Sequence, residues 1–346
     1  MKHRNLIGAI ALIMLVLFLG LSPVFAGDPA RIGTAAGEQL LVPVGARSLA
    51  LGGSNVAYTK GLDALYWNPA GLSLMDRSAA GTFSTMQIFG DIDVNYLAIG
   101  LKAGALGSIG LSFKVFDFGD IPITTNEDIE GANGATFAPS FFTAGLTYSR
   151  RLTDVIQVGA TAKLVNESVP RASASAVAFD VGIQYHDLGG IDGVSFGLAV
   201  KNIGTNMQYA GSAFLTQATD AGAGRNDYRE RPTATHQLPA TVELGVGYQR
   251  NIDENNSITF NTNFENQNFG NDNFKFGIEY SYSDLIALRG GYKFTDNVDS
   301  EDQLYTFTLG VGLHYDFGGT DMTFDYAFRD SQYFDGNNLF SLTIGF

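Results

Sequence analysis

Tyr305-Thr-Phe307-Thr-Leu309-Gly-Val311-Gly-Leu313-His-Tyr315-Asp-Phe317 alternates without a break: every odd position is large and apolar, and every even one is small, polar or charged. A period of two is that of a strand with two different faces. A soluble sandwich alternates too, but its strands typically run five or six residues. Thirteen residues in one register exceed that and suffice for the roughly 9 to 11 tilted residues that cross a bilayer.

The pattern recurs along the chain, as in Phe179-Val181-Ile183-Tyr185, Val194-Phe196-Leu198-Val200, Val242-Leu244-Val246-Tyr248 and Phe274-Phe276-Ile278-Tyr280-Tyr282. Placing strands by this rule predicts fourteen, near 82–90, 93–102, 106–117, 138–151, 154–168, 174–187, 191–203, 238–251, 256–266, 273–282, 285–296, 303–317, 321–329 and 338–346. An even count is what closed bacterial barrels require. The even-to-odd connections, such as Leu152-Thr153 and Ser283-Asp284, are all tight, whereas 118–137 and 204–237 are long. Short turns face the periplasm and long loops the exterior in such barrels, which predicts both mature termini on the periplasmic side. The fold class expected is all-β, a transmembrane antiparallel barrel of about fourteen strands.

Composition agrees. The chain is 12% aromatic and holds 42 Gly, with 16% charged residues against about 25% in soluble domains. Phe116, Phe118, Tyr148, Tyr248, Tyr292, Phe294, Phe317 and Phe328 fall near strand ends, where an interfacial girdle would sit. The formal charge of −14 disfavours nucleic acid, whose binding needs clustered Lys and Arg. No Cys is present, so neither disulfides, thiolate metal sites nor a lipid-carrying thiol are available.

Residues 1–26 read as a signal peptide: Lys2, His3 and Arg4, then the apolar run from Leu6 to Gly20, then Val24-Phe25-Ala26 before Gly27. Losing Lys2 and Arg4 and no acid takes the formal charge to −16. Residues 27–80 break the period-two rule and predict a plug of short helices, and 81–346 form the barrel.

In the plug, Val44-Gly45-Ala46-Arg47 runs on to Gly52-Gly53, and Ala64-Leu-Tyr-Trp67-Asn68-Pro69-Ala70-Gly71 follows. The glycine pair permits close approach of backbones, and Pro69 biases Asn68 away from helix, predicting a turn into the first strand. No Gly-Lys-Ser/Thr ending supports phosphate cradling. These two runs resemble the PorV/PorQ family of outer-membrane barrels and, more distantly, FadL-like transporters of hydrophobic solutes. The resemblance covers the plug closely and the barrel in length, strand count and terminal Phe. It implies a plugged fourteen-stranded barrel in the bacterial outer membrane. For the PorV/PorQ branch it implies a part in type IX protein secretion, with translocon, cargo or attachment-complex partners beside lipid and lipopolysaccharide. Phe346, ending an alternating strand, resembles the signal read by the barrel-assembly machinery.

Charged residues on predicted strands share the inward register: Lys114, Lys163, Lys201, Lys275, Arg289, Lys293 and Arg329 against Asp180, Glu243, Glu265, Glu279, Asp316 and Asp325. Lys or Arg facing lipid near the midplane would cost about 2–4 kcal/mol each. Their near balance predicts mutual pairing, not the single-sign ring of a selective porin.

No catalytic, cofactor or metal set is expected. His186 and His314 are isolated inward residues, His236 lies in the longest loop, and the acidic run Asp296, Asp299, Glu301 and Asp302 reads as a solvated loop before a Ca²⁺ site. The leading expectation is a non-enzymatic secretion or surface-assembly barrel working through its rim. A FadL-like passive transporter, which predicts an apolar cavity, is the alternative, and a barrel-embedded hydrolase with His236 at the rim ranks third.

Overall fold

A computed structural model describes residues 31–219 and 226–346; the expected signal peptide lies outside the described residues. Fourteen antiparallel strands close into a barrel: β1 Ala79–Ile88, β2 Ile92–Lys102, β3 Ser108–Asp117, β4 Ser140–Arg151, β5 Ile156–Val169, β6 Ala172–Tyr185, β7 Val194–Gly204, β8 Thr241–Asn251, β9 Asn256–Gln267, β10 Asn273–Tyr282, β11 Ile286–Thr295, β12 Phe307–Asp316, β13 Asp321–Arg329 and β14 Asn337–Gly345. The seam pairs β1 with β14, from Ala80 opposite Gly345 to Met86 opposite Leu339. Closure leaves no open sheet edge, the condition for strands to stand in hydrocarbon.

The outward positions carry an uncovered apolar belt, with Leu97, Leu111, Phe179, Leu288 and Leu309 each 51–55% exposed. A belt running round a closed barrel is a lipid-facing surface. Many inward positions are buried and polar, as with Thr147 and Thr161, whose hydroxyls lie 2.8 Å apart, while Met86, Val94, Tyr96 and Leu339 give the plug an apolar wall.

Connection lengths alternate less cleanly than the sequence reading expects. The long connections 118–139 and 205–240 do share one end, but 89–91, 170–171 and 268–272 at that end are as tight as the turns opposite.

The plug fills the lumen with short 3-10 turns (Glu38–Leu41, Gly61–Asp63, Pro69–Leu74) and two single-turn helices, α1 Ala46–Ala50 and α2 Ala64–Trp67. The mature N-terminus, expected on the periplasmic side, lies outside the described residues, but the first described ones stand at the opposite end. Arg31 donates to Asn268 at 3.0 Å and Gln237 at 2.6 Å, and the Ala36 amide to the Gln237 carbonyl at 3.0 Å, so the described N-terminal end lies with the long loops. Ser78 and the C-terminal Phe346 lie with the turns, where Phe346 and Ala79 exchange backbone hydrogen bonds. The plug thus crosses the barrel from end to end.

Packing explains where it sits. Leu62, Leu65, Leu72 and Met75 bury against Tyr96 and Ala98 of β2, and Leu49 and Ala50 against Met86, Val94 and Leu339. Each such leucine contributes about 1.5–3 kcal/mol. A third cluster joins Ala36 and Leu40 to Val165, Ala174, Ala176 and Ala178 of β5–β6 and to Met207 and Leu238 of the longest loop. That loop therefore reaches back into the barrel mouth.

Candidate functional site

Inward glycines set how closely the plug meets the wall. A methyl at Gly197 would stand 2.5 Å from the Val56 carbonyl oxygen, one at Gly277 2.7 Å from that of Leu51, and one at Gly110 2.8 Å from Leu65. Gly159, Gly182 and Gly291 likewise touch Pro69, Asn68 and Gly52. Even a methyl at these sites would meet plug atoms inside van der Waals contact, so the turn half of the lumen is sealed backbone to wall.

Each residue of the two plug runs has a place in this seal. Gly45, Gly52 and Gly53 hold φ of 82°, 67° and 71°, conformations that side chains rarely adopt. Ala46 is wholly buried, its amide donating to Ser341 at 2.9 Å. Trp67 donates to the Val44 carbonyl at 2.9 Å, its ring against Gly53. Asn68 is extended (φ −155°) and its Oδ1 accepts from the Ala70 amide at 3.2 Å; the Pro69 segment it introduces is a 3-10 helix and not a simple turn. Asn68 Nδ2 donates to the carbonyls of Val56 and Ile183, tying plug to β6. Gly71 lies against the Thr59 carbonyl.

Arg47 joins the plug to the inward charges. Its Nε and Nη2 donate to the two carboxylate oxygens of Glu279 at 3.1 and 2.9 Å. Glu279 also accepts from Arg289 at 2.5 Å, and Arg289 reaches Asp325 at 2.6 Å. A second network contains Lys163–Asp180 and Lys201–Glu243, both 2.5 Å, with Lys275 between Glu243 and Glu265.

Four of the charged residues expected to pair inside the barrel behave otherwise. Lys114 has no carboxylate partner among the described residues; its ammonium donates to the carbonyls of Gln39 and Val42 at 2.7 and 2.8 Å. Lys293 and Arg329 form no ion pair among the described residues. Asp316, the last residue of β12, extends past the plug to the turn rim, where it is exposed and pairs with Arg77 at 2.7 Å. Phe116 leaves the expected girdle: it points inward, 6% exposed, and stacks on Phe118, because it shares the register of Lys114.

Between the plug and the wall from β7 to β13 lies a cavity of about 110 Å³. Leu40, Leu41, Pro43 and Leu49 of the plug give it an apolar side, and Tyr66 and Trp67 an aromatic one; Lys201, Lys275, Lys293 and Arg329 stand on the barrel side with one acid, Glu265. Its wall residues Gln267, Thr241, Lys293 and Arg329 lie near the loop ends of their strands, so the cavity belongs to the outer half and the seal lies beneath it.

Two features of the cavity escape strict alternation. Tyr305, first of the opening run, is not in β12, which begins at Phe307. It turns inward to line the cavity, and the guanidinium of Arg329 stacks 3.7 Å from its ring centroid. On β7 a bulge opposite Asp180 leaves Lys201 and Asn202 both buried. Asn202 takes φ 62°, its amide donates to Asp180 at 2.8 Å, and its Oδ1 accepts from Lys163 at 2.8 Å. The only sequence signal for this bulge was the Asn, which tolerates left-handed backbone.

Hydrolytic chemistry finds no support in the His residues. His186 lies 2.8 Å from Ser195, but Ser195 is 1% exposed and Tyr58 stands edge-on to the imidazole. His314 pairs with Thr323, and His236 contacts the Thr34 carbonyl. Among the described residues no three His, Cys, Asp or Glu side chains gather as a metal site.

No family model matches the chain, and no curated protein does. Solved structures do. The CymD monoaromatic hydrocarbon channel superposes with a TM-score of 0.51 at 14% identity, covering 88% of this chain and 97% of that one. The Pseudomonas putida toluene transporter TodX gives 0.51 at 14% identity over 87% and 97%. A Pseudomonas aeruginosa FadL homologue gives 0.50 at 12% over 88% and 98%. The architecture is therefore the FadL-like fourteen-stranded barrel with short N-terminal helical segments.

Proposed function

We propose that this chain is a gated channel of the bacterial outer membrane that admits small molecules with apolar bodies from the cell exterior. The observation that carries the reading is the cavity between plug and β7–β13: it lies on the loop side of the seal and is flanked by Leu40, Leu41, Pro43 and Leu49. The barrel's likeness in fold to hydrocarbon channels adds to it. Passage then requires the plug to yield, and Arg47–Glu279 is the contact that must loosen. The test is uptake of a labelled monoaromatic compound by cells expressing the protein or an empty vector. Faster uptake that depends on the barrel supports the reading, and equal rates in both strains overturn it.

A second reading rests on a different observation. The glycine-matched seal and the loop residues Met207 and Leu238 packed into the mouth suit a barrel whose lumen stays shut and whose rim does the work. That is the PorV/PorQ-type role in type IX secretion or surface attachment, with translocon, cargo or attachment-complex subunits as partners. Loss of surface-anchored proteins on deletion of the gene would favour it. In both readings lipid and lipopolysaccharide surround the belt, and Phe346 serves the barrel-assembly machinery during insertion.

A further inference from the structure

Resting on the channel reading, we infer that the cavity selects a small monoanion: one ring or short chain bearing a single carboxylate. Four cationic side chains and one acid, Glu265, stand on its barrel side, and the chain's own acids answer only two of the cations. Lys201 and Lys275 meet Glu243 and Glu265. Lys293 and Arg329 meet no carboxylate among the described residues. Arg329 is 8% exposed, and a charge so buried is costly unless something answers it.

The answer within the chain is partial. Nε and Nη2 of Arg329 both donate to one neutral oxygen, Asn337 Oδ1, at 3.1 and 2.7 Å. Tyr305 stacks on the flat of the guanidinium and fixes its plane, as an oriented donor for a carboxylate requires. Lys293, two strands away on β11, lines the same cavity. An anion placed there meets two positive charges that form no ion pair among the described residues; the one acid lining the cavity, Glu265, is held by Lys275.

The opposite side sets the rest of the ligand. Leu41 and Pro43 offer no donor from a side chain, and Trp67 supplies a ring face. A volume of about 110 Å³ is of the order of the ~150 Å³ cavity that holds benzene in an engineered protein. Inorganic phosphate would leave the apolar side unfilled, a neutral hydrocarbon would leave the cations unanswered, and an amine would meet like charge.

Trp67 is the only Trp in the chain and lines the cavity, so its fluorescence reports occupancy. The purified full-length barrel is titrated with benzoate, toluene, benzylamine and inorganic phosphate. A saturable change with benzoate, at least about tenfold tighter than with the other three, is expected. The paired substitution Lys293→Met and Arg329→Met should weaken benzoate by tenfold or more and so close its margin over toluene, since a hydrogen bond to a charged group is worth about that factor. Lys293→Met alone, assayed beside it, guards against a pair that fails to fold. Toluene or phosphate binding as tightly as benzoate overturns the inference, as does benzoate binding unchanged in Lys293→Met and the pair. Flux of benzoate and toluene into proteoliposomes separates the two claims. Tight benzoate binding with no flux of either compound sinks the channel reading and spares the site, whereas toluene flux without benzoate preference does the reverse.

Discussion

Arg47 of the plug holds Glu279 of β10 through two parallel N–H···O bonds, Nε to Oε2 and Nη2 to Oε1, at 3.1 and 2.9 Å. Through Glu279 it joins Arg289 and Asp325, so one side chain links the plug to three strands. Arg47→Ala should cost about 2–3 kcal/mol, because it strips one of two cations from a buried carboxylate. The loss falls on the plug and not on the closed hydrogen-bond ladder. The expected signature is more frequent opening in planar-bilayer recordings with the heat-modifiable gel shift of the folded barrel retained. An Arg47→Ala barrel as quiet as the parent would show that the plug is held elsewhere.

Gly290 and Gly291 are neighbours on β11 with opposite surroundings. A methyl at Gly290 finds its nearest atom 3.7 Å away, whereas at Gly291 it would meet the Gly52 amide and the Leu51 carbonyl carbon. Gly290→Ala should leave stability unchanged or raise it by about 0.5 kcal/mol through loss of unfolded-state freedom. Gly291→Ala should lower it by about 1–3 kcal/mol, the range for overpacking. Urea unfolding of the two variants in the same detergent decides, and equal midpoints would refute the tight seal.

The loop between β3 and β4 carries a turn that depends on protonation. The Asp128 carboxylate accepts from the amides of Ala132 and Asn133 at 2.9 and 2.8 Å, and these bonds lower its pKa from the ordinary 3.8. A carboxyl lowered in the folded state stabilises the turn above its ordinary pKa, and that contribution is lost as pH falls through the lowered value. Amide shifts of Ala132 and Asn133 should therefore hold steady from pH 7 to 5 and move together below about 4. Asp128→Asn should abolish that movement; its persistence would assign the effect to another group.

The barrel was legible in the sequence because lipid and lumen impose opposite polarity on alternate residues, and no other constraint competes over most of each strand. β9, β10 and β13 end within a residue of where alternation alone puts them. Where something inside the barrel makes a demand, alternation fails. Tyr305 continues the apolar register of β12 in sequence, yet stacking on Arg329 draws it inward. Phe116 has the composition of a girdle residue and the parity of Lys114, and parity wins. The plug runs were recognisable, but their partners were not. That Arg47 would find Glu279, 232 positions away, is a fact of tertiary closure. So is the cavity, assembled from the plug and the walls of β7–β13.

The direction in which the plug crosses the barrel carries a last prediction, and the function depends on it. Thr34 is exposed, one turn from the Arg31 contacts with Gln237 and Asn268 at the long-loop end, while Gly104 lies in the turn between β2 and β3 at the other. The chain has no Cys, so a single introduced thiol reports without background. On intact cells a membrane-impermeant maleimide should label Thr34→Cys, and should label Gly104→Cys only after the outer membrane is permeabilised. Long loops face the exterior in barrels of this kind, which places the cavity's cations toward the medium, where an incoming anion meets them before the seal. The opposite labelling would turn the cavity toward the periplasm and make the same charges a site for molecules leaving the cell.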